Sequence, residues 1–436
     1  MNRQRVSRRA ALAALAYGSA SAALGRTSYG GRLRLAVPWP ISGLDPARLS
    51  DGFSALIAGA AFDPLYALDD SGQPYPTLTD GLPGKVAEGA KVKLRPGLKT
   101  AGGRPLAGSD MLATLARARA RGASGLLGEL VPPRLDSSDP LSVIFPRATP
   151  EALARTLASP LLALVPRNFS PLSPDGTGAF RVELAPGRAV LTRNLNAARG
   201  PAYLDAIEVT SVGDVADLLR GFESGATDIG WFGSGLYRSV KDAVAFGAPR
   251  YGLAVLLAGR AAGAWAAPGT LQPLLDAIPA QQLAHLGLRG LPASPTGSAR
   301  WSGPPSEVVV QSGAPQLVAV ARSLAASLST AGHELSVSEK SADELAALRV
   351  SQSFGLMVDC VRTAGSSDRE VESLLRTAAN PEAAKRAPKT APLAPRELAR
   401  QLPLGVIGEL SVHGSRRGSL LGLESWQLGA VSFVKP

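Results

Sequence analysis

The chain has 436 residues, of which 45% are apolar and 19% charged, so it is long enough for roughly two or three folded units and is not a disordered protein. Its formal net charge is +11, and four of those charges stand at the N-terminus, at Arg3, Arg5, Arg8 and Arg9. The other basic residues are scattered, without the dense stripe interleaved with aromatics that marks a nucleic-acid-binding surface. The only cysteine is Cys360, which excludes an intrachain disulfide.

Residues 1–23 have the organisation of an export signal. A basic stretch precedes the apolar run Ala10–Ala16, and Ala20-Ser21-Ala22 fits the small-residue pattern of a cleavage site. The pair Arg8-Arg9 resembles a twin-arginine signal, although Ala11 stands where a bulky residue is usual. We expect export to the periplasm by that route; the alternative is a disordered basic tail. No other segment reaches the roughly eighteen uninterrupted apolar residues of a membrane span.

The first half of the mature chain alternates between strand and helix signals. Leu33–Val37 predicts a strand, and a Gly-Leu-Asp-Pro turn and an apolar helix follow before Phe62-Asp63-Pro64-Leu65. Ser109-Asp110 predicts the N-cap of a helix over Met111–Arg121. Further along, Gly176-Thr177-Gly178 predicts a tight turn into a hairpin, since glycine adopts backbone angles that other residues avoid.

The next segments continue this alternation. Ala189–Asn194 predicts the return strand of the hairpin, and Ile207–Val209 another strand. An apolar stripe at helical spacing predicts a helix that ends at Gly225. From Glu307 to Val358 the pattern is β-α-β-α-β with continuous apolar strands, which predicts a small parallel sheet.

This order of motifs resembles the family 5 extracellular solute-binding proteins, the peptide and nickel receptors of bacterial ABC importers. The resemblance implies an α/β, two-lobe periplasmic-binding-protein-like fold of type II, the class of the peptide-binding proteins, with the lobes joined by a hinge. It divides the chain into the signal at 1–23, lobe I at 32–254 with an inserted subdomain at about 62–170, a reduced lobe II at 255–394, and a return to lobe I at 395–436.

No catalytic or metal-binding constellation is visible in the sequence. The three histidines, His285, His333 and His413, stand far apart, and none has a second histidine or a cysteine at metal-ligand spacing. There is no phosphate-binding glycine loop with Lys-Ser/Thr and no nucleophile elbow. The sequence therefore predicts no enzyme activity, no metal site and no cofactor.

Candidate ligand-binding residues follow from the resemblance. In oligopeptide receptors the segment after the Leu-Asp-Pro turn contacts ligand, and an acidic residue after the strand predicted here at Phe354–Val358 pairs with the peptide amino group. Here Asp359 is the nearest acid, at a different offset and without the usual tryptophan, and Arg362 would instead favour an acidic ligand. The predicted site residues are Ser50, Asp51, Gly52, Phe53, Trp231, Phe232, Asp359 and Arg362. Two alternatives stay open: a helix cap at Ser50-Asp51, and packing at the rim for Trp231-Phe232.

The function implied is that of a substrate-binding component of an ABC importer, which captures a small solute or peptide between its lobes and delivers it to the permease subunits. We expect a monomer without a nucleic-acid partner. The alternatives are a degenerate member with a sensory or scaffolding role, and a periplasmic enzyme on the same scaffold.

Overall fold

The computed structural model describes residues 30–48, 52–69, 71–120, 124–127, 130–202, 204–231, 243–247, 252–284, 286–291, 300–363, 367–380, 391–410 and 413–417. The strands of this part are β1 (Arg32–Val37), β2 (Tyr66–Leu68), β3 (Pro74–Pro76), β4 (Gly84–Val86), β5 (Gly89–Lys93), β6 (Arg134–Asp136), β7 (Asp139–Pro146), β8 (Phe180–Ala185), β9 (Arg188–Arg193), β10 (Ala206–Ser211), β11 (Ile229–Trp231), β12 (Ala243–Gly247), β13 (Gly252–Ala258), β14 (Leu288–Arg289), β15 (Ser306–Gln311), β16 (Leu335–Lys340), β17 (Leu356–Arg362), β18 (Leu404–Leu410) and β19 (His413–Arg417).

The α-helices of the same part are α1 (Gly52–Ala61), α2 (Gly108–Ala118), α3 (Ser124–Leu127), α4 (Pro150–Thr156), α5 (Val215–Glu223), α6 (Leu271–Asp276), α7 (Ala280–Ala284), α8 (Pro315–Leu328), α9 (Ala342–Ser351), α10 (Asp368–Ala379) and α11 (Pro395–Ala399). Two segments, Pro160–Leu162 and Arg260–Ala266, are 3₁₀-helical.

The first lobe is built on a seven-stranded mixed sheet with the order β12-β19-β11-β1-β10-β9-β8. Strand β1 lies parallel to β10 and β11, whereas β8, β9 and β10 form an antiparallel run. Helix α1 contributes to the core beside this sheet, and all its residues except Gly52 and Gly59 are buried. A helix that is apolar all round has to be enclosed, so α1 anchors the segment that follows β1.

The second lobe is built on a six-stranded sheet with the order β14-β18-β13-β17-β15-β16. Its half β16-β15-β17 is parallel, and helices α8 and α9 connect these strands, which confirms the β-α-β-α-β pattern predicted from the sequence. Strands β13 and β17 are buried over their whole length. The continuous apolar run of β13 reflects the covering of both sheet faces, and β17 is buried in the same way although it contains Asp359 and Arg362.

A smaller four-stranded sheet, with the order β4-β5-β7-β6, lies within the segment predicted as an inserted subdomain. Helix α2 packs against it, with Met111 and Leu115 in the same apolar cluster as Val92 and Val143. Strands β2 and β3 form a separate two-stranded hairpin.

The end of the second lobe differs from the sequence prediction. The return to lobe I was expected at 395, but β18 pairs with β13 in the second sheet, and the chain re-enters the first sheet only with β19. Helix α11 is also tied to the second lobe, because the Arg396 guanidinium donates to Asp276 Oδ1 (2.8 Å) and to the Ile407 carbonyl (2.7 Å). Strand-like apolar runs indicate a strand but do not say which sheet accepts it.

The cap of α2 is a second correction. The helix begins at Gly108 rather than after Ser109-Asp110, and Asp110 acts from inside the first turn, where its Oδ2 accepts from the Ala107 N–H (2.9 Å). An acid at this position still satisfies a backbone donor of the helix start. The C-terminal glycine of α5 is as predicted, since Gly225 follows the last helical residues with φ +80°.

Asp63 is a buried carboxyl at the start of the inserted segment. Its Oδ2 accepts from Thr177 Oγ1 (3.0 Å), and Arg199 lies 3.9 Å away. Burial raises the pKa of Asp63, and Arg199 and Thr177 offset that effect only in part. The folded protein therefore binds this proton more tightly than the unfolded chain does. The contribution of the protonated Asp63 to stability is complete at pH values below the pKa that Asp63 has in the unfolded chain. It is lost as the pH rises through the pKa of Asp63 in the folded protein.

We expect the stability of the wild-type protein relative to Asp63→Asn to fall as pH rises from about 3 to about 7, because only the wild type must hold a buried carboxylate at the upper end. Urea denaturation of both proteins across this range measures the difference. A difference that stays constant or grows with pH would contradict the assignment.

Candidate functional site

The two lobes meet where β1 and β15 end. A narrow cavity of ≈ 20 Å³, about the space of one water molecule, lies between the segment after β1 and the β15–α8 connection. Its lining residues are Trp39, Pro40, Ser42 and Gly52 from the first lobe and Gln311, Gly313, Ala314, Gln316, Leu317 and Cys360 from the second. Loops at the carboxyl ends of parallel strands are the usual place for ligands in open α/β sheets.

The first-lobe wall is held by backbone and side-chain contacts of the turn after β1. The Asp45 N–H donates to Ser54 Oγ of α1 (3.1 Å), and the Leu44 N–H donates to the Pro171 carbonyl (2.8 Å). From the second lobe, Arg362 Nη1 donates to the Pro46 carbonyl (3.2 Å). The turn that the sequence singled out thus positions the wall and connects it to β17.

Two glycines of the cavity allow close packing, one between the lobes and one within the first-lobe wall. A Cβ at Gly313, whose φ is +72°, would lie 3.0 Å from Cγ of Pro40 in the opposite lobe. A Cβ at Gly52 would lie 2.6 Å from the ring nitrogen of Trp39. Glycine at 313 lets the two lobes come into contact, and glycine at 52 leaves room for the Trp39 ring within the first-lobe wall.

The described lining is apolar and amide-bearing. Gln316 Nε2 donates to the Leu286 carbonyl across the second lobe (3.0 Å), which fixes that side chain. Gln311 is half-buried, and within the described ranges its side-chain amide makes no hydrogen bond to another residue. No charged side chain is among the described lining residues. Such a wall offers hydrogen bonds and apolar contact to a ligand.

The structure brings one of the predicted site residues, Gly52, to the cavity. Phe53 is fully buried in the core beside it and does not line the cavity. Trp231 is the last residue of β11 and pairs with Gly414. Ser50, Asp51 and Phe232, and the export pair Arg8 and Arg9, lie outside the described residues.

In the second lobe, Asp359 and Arg362 do not lie where the sequence prediction placed them. Strand β17 does not end at Val358 but continues to Arg362, so both residues lie inside a buried strand. Asp359 forms an ion pair with Arg349 of α9, and its Oδ1 accepts from the Cys360 N–H (2.8 Å). Arg362 is 1% exposed and holds the Pro46 carbonyl. Neither lines the cavity described above.

The residue that faces the cavity from β17 is Cys360, which was not among the predicted site residues. Alternation decides this, because Val358 and Cys360 belong to one apolar cluster and Met357 and Val361 to the other. Trp39, Gln311 and Gln316 were also missed. Only their positions in the sequence could have indicated them, because each stands just after a predicted strand or at the start of the following helix.

The chain is similar to known proteins in its three-dimensional structure. No protein-family model matches the sequence, and no curated protein matches it. The oligopeptide-binding protein AppA from Bacillus subtilis, solved with a nonapeptide, matches with a TM-score of 0.68 and 13% identity over 94% of this chain and 99% of that one. The chain has the two-lobe fold of the periplasmic solute-binding proteins. The resemblance seen in the sequence is confirmed for the fold.

Two further solved structures share this solute-binding fold. The ABC transporter-associated periplasmic binding protein DppA from Helicobacter pylori, in complex with the peptide STSA, has a TM-score of 0.70 and 12% identity over 94% of this chain and 98% of that one. The binding protein MoaA of A. tumefaciens R10, in complex with mannopinic acid, has a TM-score of 0.66 and 15% identity over 93% and 98%. Ligands of quite different chemistry are therefore held by proteins of this fold.

The described residues include neither a membrane-spanning helix nor a cluster of metal-ligating side chains. None of the helices there is both long enough and apolar enough to cross a membrane. Within the same ranges, no three His, Cys, Asp or Glu side chains stand close enough together to hold a metal ion.

Proposed function

We propose that this protein is the substrate-binding component of an ABC importer and captures a small solute or peptide between its two lobes. The observation that carries the proposal is the cavity lined from both lobes, at the ends of β1 and β15, in a fold whose solved examples hold ligands. Contacts from both lobes favour a closed state when ligand is bound, and a permease can recognise that state.

Export to the periplasm is part of the same proposal. Its support is the basic and apolar leader over 1–23 with the Arg8-Arg9 pair, together with the fold, whose example from Helicobacter pylori is described as periplasmic. A binding function without catalysis is supported by the composition of the cavity wall. Among its described residues, Cys360 is the only one with a strongly nucleophilic group, and no acid or histidine stands beside it in the lining.

Ligand binding is expected to protect Cys360 from a maleimide reagent by about tenfold or more, because the thiol is buried while the lobes are closed. The protein is screened with short peptides, nickel with histidine, and sugar–amino acid conjugates, and each hit is checked by thermal shift. Native mass spectrometry of the purified protein identifies any molecule that it retains. Cys360→Ser gives the background of the labelling reaction.

A matched pair of variants locates the site. Gln311→Trp fills the cavity and should abolish both the protection and the thermal shift, whereas Ser312→Trp, at the exposed neighbour outside the lining, should keep both. If no compound stabilises the protein and nothing is retained, the transport function fails and a degenerate, sensory or scaffolding role replaces it.

A further inference from the structure

Strand β8 lies at the open edge of the first sheet. It pairs with β9 on one side, and no other strand of the described residues pairs with it. The Asn194 N–H donates to the Ala179 carbonyl and the Arg193 N–H to the Asp205 carbonyl, each at 2.9 Å, so residues of β9 alternate between β8 and β10. By this alternation, the main-chain groups of Val182 and Leu184 point away from β9 to the open edge.

The edge is accessible. A groove of ≈ 380 Å³ runs beside residues 181–184, and its other wall is formed by residues 172–175 and Gly102. Leu172 on that wall is 72% exposed, which is unusual for a large apolar side chain. Within the described ranges, no backbone hydrogen bond reaches Val182 or Leu184 from this side. An uncovered strand edge is a template for pairing with another strand.

The side chains along this edge are self-complementary. Arg181 and Glu183 both project from the exposed face of β8, with side-chain exposures of 57% and 64%, and within one chain they form an exposed ion pair of 3.5 Å that an opposing strand can replace. If two copies of β8 pair antiparallel about Val182, Arg181 of each copy stands opposite Glu183 of the other. In this arrangement Arg181 and Glu183 form the non-hydrogen-bonded pairs of the new ladder, in which facing side chains come closest. Opposite charges there stabilise a strand pair and like charges destabilise it.

We propose that the first lobe docks a second copy of this chain through β8, forming a two-fold symmetric dimer with one continuous sheet. This replaces the monomer expected from the sequence and does not depend on the transport function. The edge lies at the end of the sheet opposite to β12 and β19, which are the strands next to the connections with the second lobe. Pairing through β8 therefore leaves the lobes free to open and close.

Sedimentation velocity of the full chain over about two orders of magnitude in concentration tests this dimer. We expect a dimer of the wild-type protein. Arg181→Glu and Glu183→Arg each place like charges opposite each other twice, and each should raise the dissociation constant by about tenfold to a hundredfold. An equimolar mixture of the two variants should form a heterodimer, and the double variant R181E/E183R should dimerise again.

Arg322→Glu, at an exposed ion pair of the second lobe, is the matched control and should leave the dimer unchanged. Circular dichroism checks that the variants fold, which their exposed positions favour. A wild type that stays monomeric at every concentration overturns the proposal. So does a dimer that is indifferent to both charge changes, because it would use another surface.

Discussion

Replacing Gly178 with alanine is expected to lower the free energy of unfolding by about 3 kcal/mol or more. A Cβ at this position would lie 2.6 Å from the Ala60 carbonyl oxygen and 2.8 Å from the Phe62 nitrogen, closer than real contacts allow. The Gly178 N–H also donates to the Ala61 carbonyl (2.9 Å), and its own carbonyl accepts from Asn194 Nδ2 (2.7 Å). Main-chain atoms cannot move aside as a flexible side chain can, so the end of α1 and the start of the β8 hairpin must separate.

Gly213→Ala is the matched control, because a Cβ there meets nothing within 4 Å and the glycine is exposed. Its effect should stay within about 0.5 kcal/mol of the wild type. Urea denaturation followed by tryptophan fluorescence compares the two variants. Equal midpoints would show that the contact between Gly178 and α1 is looser than the structure has it.

Local patterns in the sequence were sufficient for much of the fold. The hairpin of β8 and β9, helix α5 with its terminal glycine, and the parallel unit β15-α8-β16-α9-β17 follow from periodicity and turn residues within a few tens of positions. Strand β18 was recognisable as strand-like, but its partner β13 is about 150 residues away in the chain. Nothing in a short apolar run specifies a partner so distant, which is why the boundary at 395 was placed too early.

The cavity was harder to predict than the fold. It is formed by single residues from separate loops, and which residues face it depends on where each strand ends and on the phase of its alternation. A prediction that β17 ends at Val358 puts Asp359 in the loop that follows, whereas the observed end at Arg362 keeps it in the sheet and turns Cys360 to the cavity. Gly52, which was named because the resemblance implies ligand contacts for the segment after the Leu-Asp-Pro turn, does line the cavity.

Asp359→Ala is expected to destabilise the protein by about 2–4 kcal/mol, which is far more than an open-cleft carboxylate would cost. The carboxylate is 5% exposed and paired with Arg349, whose side chain is 31% exposed. Removing the acid leaves a guanidinium with little water and no counter-charge from β17. The double variant D359A/R349M removes that charge as well, and it should recover at least about half of the loss.

The same variants separate a structural role of Asp359 from a ligand-binding one. The rate at which a maleimide labels Cys360 in the folded protein should be the same in D359A/R349M as in the wild type, since the pair lies on the face of β17 that turns away from the cavity. Thermal shift with a ligand found in the screen should also be unchanged in size. A double variant that is stable but has lost this shift would return Asp359 to the ligand site, as the sequence first suggested.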